Sequence, residues 1–465
     1  MPAPHTRSLF VLVAAAGVFL TAACALAQDL SFLRVGEDFE AGFGAFAVAA
    51  GDVDGDGRVD VVTANNDADS VSVLLGAGDG TFAEPVEYLS GSAPVAVALA
   101  DFDGDGDLDV ATADELDDSV SVLLNAGDGT FAEPLASPVG LAPEAIAVGD
   151  FDDDGILDIA TTDNLDETIT VQFGDGDGTF SNPQAIVVIG EPLGLAVGAL
   201  NGDGIEDLIA TMTTGGIEGS GSLRILEGLG GGVFDALPEI ESETLFFPVA
   251  VAVGDLDDDG RADVVAVNDE GDSISVFLGN GDFTLQEATD YSVGSFPESL
   301  ALADFDGDGR LDVAVAAFFE DRISVLTGFG DGRLEEAVPF EVGSGPRGVV
   351  ATDLDADGAI DLVTANNDDS TVTSLLNRSA GIVTPTPTPT PPPPPTATPT
   401  PETEPCVGDC SSDGEVTVDE ILTMVNIALG SGEVTACVAG DSNADGQVTV
   451  DEILTAVNNA LSGCG

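Results

Sequence analysis

Carboxylates at alternate positions of a short glycine-containing segment can turn their oxygens onto one point, and this chain carries that arrangement seven times. The pattern D-x-D-x-D-G-x-x-D, or a close variant, starts at residues 52, 101, 150, 199, 255, 304 and 353, in steps of 49, 49, 49, 56, 49 and 49. Roughly six to eight hard oxygen donors suit calcium, whereas magnesium demands a stricter octahedron. Glycine at the sixth position allows the sharp turn that such a loop needs. Side-chain ligands are expected at positions one, three, five and nine, with the carbonyl of position seven added. The sets are Asp52, Asp54, Asp56 and Asp60; Asp101, Asp103, Asp105 and Asp109; Asp150, Asp152, Asp154 and Asp158; Asp255, Asp257, Asp259 and Asp263; Asp304, Asp306, Asp308 and Asp312; and Asp353, Asp355, Asp357 and Asp361. The fourth copy has Ala199 at position one and keeps Asn201, Asp203 and Asp207, so it is expected to be the weakest site or empty.

A fixed period near fifty residues signals a propeller, solenoid or array. In the second unit PVAVALA precedes the acidic segment, LDVATAD follows it, SVSVLLN comes after a polar turn, and FAEPLASP comes after GDGT. Four short apolar or alternating runs between Gly and Asp punctuation read as four antiparallel strands. Radial assembly of such units makes a β-propeller. The segment 30–41 supplies a strand its own unit does not need, with Leu33 expected in the place of Phe82 and Phe39 in that of Tyr88, while the last unit stops near Ala380 without one. The expected fold is therefore all-β, a seven-bladed β-propeller of four-stranded blades, closed by pairing the first strand with the last and followed by a small α-helical calcium-loop domain.

The acidic repeat, together with GDGTF at Gly78 to Phe82, Gly127 to Phe131 and Gly176 to Phe180, resembles the FG-GAP/VCBS repeat family over roughly residues 30–380. The resemblance implies a propeller like that of integrin α subunits, with several loops holding calcium between the first two strands of a blade. It implies no particular partner.

A second repeat lies in the last sixty residues, GDCSSDGEVTVDEILTMVNIALG and GDSNADGQVTVDEILTAVNNALSG, offset by 32. Each reads as a calcium loop running into a helix. Asp441, Asn443, Asp445, the carbonyl of Gln447 and Glu452 take positions one, three, five, seven and twelve of an EF-hand-like loop; Asp409, Ser411, Asp413, the carbonyl of Glu415 and Glu420 take the same places in the weaker first copy. Thr417 and Thr449 stand three residues before Glu420 and Glu452, a capping-box pattern. Ile421, Leu422, Val425 and Leu429, with Ile453, Leu454, Val457 and Leu461, are expected to form one apolar helix face each. The duplicated unit, following the Pro/Thr-rich stretch 381–405, resembles a dockerin domain over residues 406–465. It departs from the pattern in Cys410 and Ser411 and in Glu at position twelve. The resemblance implies a cohesin-type partner, read by Val418, Asp419, Val450 and Asp451. Cys406, Cys410, Cys437 and Cys464 all fall in this module and permit two disulfides, with three pairings open.

Arg7, the apolar run Leu9 to Leu20 and the A-x-A site Ala25-Leu26-Ala27 read as a secretory leader covering residues 1–27, leaving a propeller over 28–380. No later run is long enough for a membrane span. Acidic residues outnumber basic ones 85 to 10, the net charge is −75 and Lys is absent. Such charge disfavours a compact state unless cations bind, and makes nucleic acid an unsuitable partner. The sole His, His5, belongs to the expected leader, which excludes histidine triads and zinc–histidine sites from the mature chain, and the absence of Lys excludes Schiff bases. Carboxylate chemistry remains, but no isolated acidic pair stands out, and without Trp and with only Tyr88 and Tyr291, aromatic platforms for sugars are expected to be scarce. The expected protein is a secreted, calcium-binding, non-catalytic binding or adhesion protein. Its protein or glycan ligand is expected on the face of the turns Asn65 to Ser70, Asp114 to Ser119, Asp163 to Thr168, Asn268 to Ser273 and Asn366 to Thr371, with the insertion Thr213 to Ser222. A polysaccharide-degrading carboxylate enzyme and a structural surface-layer component are the alternatives.

Overall fold

The computed structural model describes residues 30–213, 220–379, 410, 416–429, 447–450, 453–454 and 456–457. The expected leader 1–27, the expected linker 381–405, the centre of the Thr213 to Ser222 insertion, and Asp409, Ser411, Asp413, Glu415, Asp441, Asn443, Asp445 and Glu452 lie outside the described residues, as do Cys406, Cys437 and Cys464. The chain divides into two compact units, Met1–Pro385 and Thr386–Gly465.

In the first unit every repeat becomes one antiparallel sheet, giving seven blades. Blade 2 is typical: Pro94–Ala100 is innermost, followed by Asp109–Asp114, Ser119–Leu123 and Leu135–Pro138 outermost. The second and third strands of a blade are buried along their length, which accounts for runs such as DVATAD and SVSVL. In blade 4 the third strand Ser220–Gly228 pairs with Phe234–Ala236 and with the outermost strand Ile240–Phe246, and most of the longer step lies before it: Asp207 and Gly228 are 21 residues apart where Asp60 and Gly76 are 16.

The propeller has no single core. Its apolar residues form seven clusters, one between each pair of neighbouring blades. The second residue of each acidic loop, Val53, Phe102, Phe151, Leu200, Leu256, Phe305 or Leu354, is buried in one of them. Each loop is thereby pinned at its start by burial of an apolar side chain.

Closure is by the N-terminal segment. Phe32–Arg34 and Phe39–Glu40 pair with Thr371–Asn377 of blade 7 and remove its open edge. Phe39 faces Val372 as Tyr88 faces Val71. The residue in the Phe82 place is Phe32, not Leu33: Phe32 faces Asn377 as Phe82 faces Gly76, so the step from Phe32 to Phe39 is one residue longer than that from Phe82 to Tyr88. The packing shows why, since Phe32 meets Phe340 at 5.0 Å and Phe305 at 5.9 Å whereas Leu33 is 58% exposed.

In the second unit, the helix Val418–Ala428 starts on a capping box of Thr417 and Glu420. Among its described residues the buried apolar ones are Met424 and Ile427, with Ile421 packed against them, together with Val416, Val448 and Ala456. Leu422, Leu429 and Leu454, expected in the apolar faces, are exposed. Residues 420, 424 and 427 share one side of a helix, and that side includes the capping glutamate. Cys410 is disulfide-bonded, its other half lying outside the described residues.

Candidate functional site

The acidic loops join the innermost strand of each blade to the second and so share one face of the ring. In loop 1, Asp52 accepts from the N–H of Asp56 at 3.1 Å and of Gly57 at 2.8 Å, and Asp54 accepts from Asp56 at 3.1 Å. The position-one bonds recur on Asp101, Asp150, Asp255, Asp304 and Asp353. Gly57 sits at φ 84°, a left-handed conformation that explains glycine at position six. Carboxylate oxygens lie within 4.8 Å of one another in Asp52, Asp54 and Asp60; in Asp101, Asp103 and Asp109; in Asp150, Asp152 and Asp158; in Asp255, Asp257 and Asp259; and in Asp304, Asp306 and Asp308. These hard oxygen donors fit a calcium ion.

Position nine has a second duty that spacing did not reveal. Asp60 is buried and accepts from Val53 N–H at 2.9 Å with one oxygen and from Gly76 N–H at 2.7 Å with the other. The same clamp is made by Asp109, Asp158, Asp207, Asp263, Asp312 and Asp361. It ties the loop to the strand following the next hairpin. Burial raises these carboxyls, to about 6 for Asp109 and Asp158 and about 7 for Asp312 and Asp361, against the lowering effect of their backbone N–H partners.

Two loops differ. In the fourth, the Asn201 amide donates to Asp203 at 2.8 Å and no carboxylate stands at position one. In the seventh, Arg378 lies on Asp355 and Asp357.

The opposite face carries the turns between second and third strands. Their Asn or Asp residues are structural: Asn65 bonds Thr63, Ser70 and Ser72, and Asp163 accepts from Thr161, Thr168 and Thr170. The chemistry of this face lies further in, around a central cavity of about 800 Å³. Each innermost strand has a register shift near its start, and the residues that bulge there, Phe46, Val95, Glu144, Leu193, Val249, Glu298 and Arg347, line the cavity as a ring. Bulges of this kind re-aim a side chain.

Arg347 meets Glu298 at 2.8 Å, with its guanidinium 4.7 Å from the Phe46 ring centre and 4.6 Å from that of Phe318. Asp269 keeps a buried oxygen with no hydrogen-bond partner. Burial, then Glu298 and Glu270, push Asp269 up to about 7 against the pull of Arg347; burial, then Glu115 and Glu298, push Glu144 to about 7. Phe247, Phe296 and Phe319 also line the cavity, and Phe319, Phe43, Leu116 and Leu165 are exposed on the same face.

This cluster was not found from the sequence. Its signal was a charged residue second in an otherwise apolar strand, as in PEAIAVG, PESLALA and PRGVVAT. The expected scarcity of aromatic platforms is corrected too: phenylalanines from separate repeats gather here without Trp or Tyr.

Six overlapping stretches, 52–112, 101–161, 150–210, 200–266, 255–315 and 304–364, match the FG-GAP-like repeat. Among solved structures, BBS1N in complex with ARL6DN is 13% identical with a TM-score of 0.54, over 76% of this chain and 98% of that one. A lectin of Agrocybe aegerita that recognises non-reducing terminal N-acetylglucosamine is 22% identical, TM-score 0.45, over 73% and 87%. A periplasmic gluconolactonase of Pseudomonas aeruginosa is 19% identical, TM-score 0.47, over 62% and 84%. No curated protein matches the chain.

Proposed function

The chain belongs to the FG-GAP-like repeat family, and from that premise we propose that it is a secreted, calcium-stabilised binding protein. In this reading the propeller takes a ligand in its central cavity and the C-terminal unit tethers it to a partner. The observation that carries the reading is the cavity itself, about 800 Å³ of space ringed by one residue from every blade and edged with phenylalanine. Pockets with an apolar lining and a few converging polar groups are the default binding sites of a fold.

The chemistry of the cavity favours a ligand with a positive group beside an apolar body. Glu144, Glu191, Asp269 and Glu298 face one guanidinium, that of Arg347, which Glu298 and two aromatic rings already hold. A ligand cation would supply the charge that Glu144 and Asp269 lack, and phenylalanine rings attract cations as well as apolar groups. Calcium in the loops would be held by the carboxylates of loops 1, 2, 3, 5 and 6 and would supply charge neutralisation. The tethering role draws support from the exposed Leu422, Leu429, Val450 and Leu454 of the C-terminal unit. Among the described residues no helix is long and apolar enough to cross a membrane.

The test is calorimetric titration of the full chain, in calcium, with three blocked tetrapeptides identical except for Lys, norleucine or Glu at one position. The Lys peptide should bind at least about tenfold more tightly than the others, roughly 1.4 kcal/mol. Glu144→Gln and Asp269→Asn should each remove most of that preference, while Glu87→Gln on an outer strand should leave it. Equal binding of all three peptides would sink the cationic assignment.

A second reading rests on the same pair. Two carboxyls raised to about 7 in one cavity are suited to general acid–base work on a polysaccharide. That reading requires turnover of a glycan by the full chain, abolished in Glu144→Gln or Asp269→Asn.

A further inference from the structure

We infer that the seventh acidic loop is closed by a cation belonging to the chain itself, the guanidinium of Arg378, and takes no metal ion. The inference rests on the calcium reading of the other loops and revises the expectation for Asp353, Asp355, Asp357 and Asp361. Arg378 places Nη2 at 2.7 Å from Asp355 and Nη1 at 2.8 Å from Asp357, so one planar group spans positions three and five together. Arg58, Arg261 and Arg310 also meet loop acids, but each stands at position seven of its own loop and, among the expected ligands, pairs with position five alone.

The location gives the substitution its meaning. Arg378 directly follows Asn377, the clamp partner of Asp361. The corresponding residues in the other blades are Ala77, Ala126, Asp175, Leu229, Asn280 and Phe329, none of them cationic. In those blades the chain then turns straight back into the outer region of the same sheet, as where Ala77 N–H meets the Thr81 carbonyl at 2.8 Å. In blade 7 no such covalent turn exists. The outer strand comes from the far end of the chain, and Arg378 N–H meets the Ser31 carbonyl at 2.6 Å. Arg378 therefore stands on the seam of the ring. A dissociable ion at that point would make closure depend on calcium concentration. An arginine stays charged at every accessible pH and cannot be chelated.

The experiment is equilibrium dialysis of calcium on the full chain and on Arg378→Ala, paired with hydrogen exchange at residues 32–34 and 375–377 in calcium and in chelator. The variant should bind one ion more than the wild type. In chelator the wild type should keep protection at the seam, and the variant should lose it by at least about tenfold and regain it with calcium. Asp357→Asn in the otherwise wild-type chain should leave the ion count unchanged, which serves should Arg378→Ala fail to fold. Equal ion counts for wild type and Arg378→Ala, or loss of an ion in Asp357→Asn, would overturn the inference. No ions on either chain would overturn it by removing the calcium reading, an outcome recognised by its absence of binding in every loop.

Discussion

The ninth residue of each acidic loop does two things that can be separated. Asp207 makes the two-oxygen clamp to Leu200 and Gly228 in a loop that lacks the first carboxylate. Removing it strands buried N–H groups, each costing about 1–3 kcal/mol. Asp207→Ala is therefore expected to lower the melting temperature equally in calcium and in chelator, whereas Asp101→Ala should lower it mainly in calcium. Differential scanning calorimetry of both variants in both buffers decides this. In the cavity, Glu144 has an ordinary value of 4.5 and is raised by burial to about 7. Between those values the folded state holds a proton that the unfolded state has lost, so stability falls as pH rises through the window and the loss is complete above 7. Melts from pH 4.5 to 8 should show Glu144→Gln gaining on the wild type as pH rises; parallel curves would contradict the assignment.

Closure depends on a few residues of one short strand. Phe32 packs edge-on to Phe305 and Phe340, continuing a contact that Tyr88 makes with Phe131 and Phe39 with Phe82 between other blades. Phe32→Ala should cost about 2–4 kcal/mol, because a large apolar side chain is lost from a packed site, and Leu33→Ala close to nothing. Urea denaturation of the two variants distinguishes them; equal costs would mean that the register is wrong. The innermost strands show the opposite economy. Their bulged second residue is turned to the central cavity and differs from blade to blade, as Phe, Val, Glu, Leu, Val, Glu and Arg around the ring.

The whole molecule carries a net charge of −75, and all nine arginines among the described residues are in ion pairs. With so few internal cations, the folded chain repels itself unless counter-ions are supplied. In chelator the melting temperature should rise steeply with added NaCl, which screens the loops, and in calcium the rise should be shallow. A melt indifferent to both calcium and salt would show that the acidic face is not under electrostatic stress.

Sequence by itself determined the number of blades, the four strands of each, the acidic loops, the closing segment to within one residue, and the capped helix at Val418–Ala428. All of these are written in short-range spacing, a period of two within strands and of 49 between repeats, so local pattern suffices to read them. Only the tertiary structure decided the rest. The cavity is ringed by the bulged residue of every blade, and Glu144 and Asp269, 125 positions apart in the chain and in different blades, come to line the same space through the curvature of the ring, with no local signature. The same holds for Arg378, whose contact with Asp355 and Asp357 follows from where the last strand ends, and for Phe32, whose place was set by aromatic packing against blade 6. Contacts between repeats are decided by the curvature of the ring, and curvature is a property of the packed sheets that no single repeat encodes.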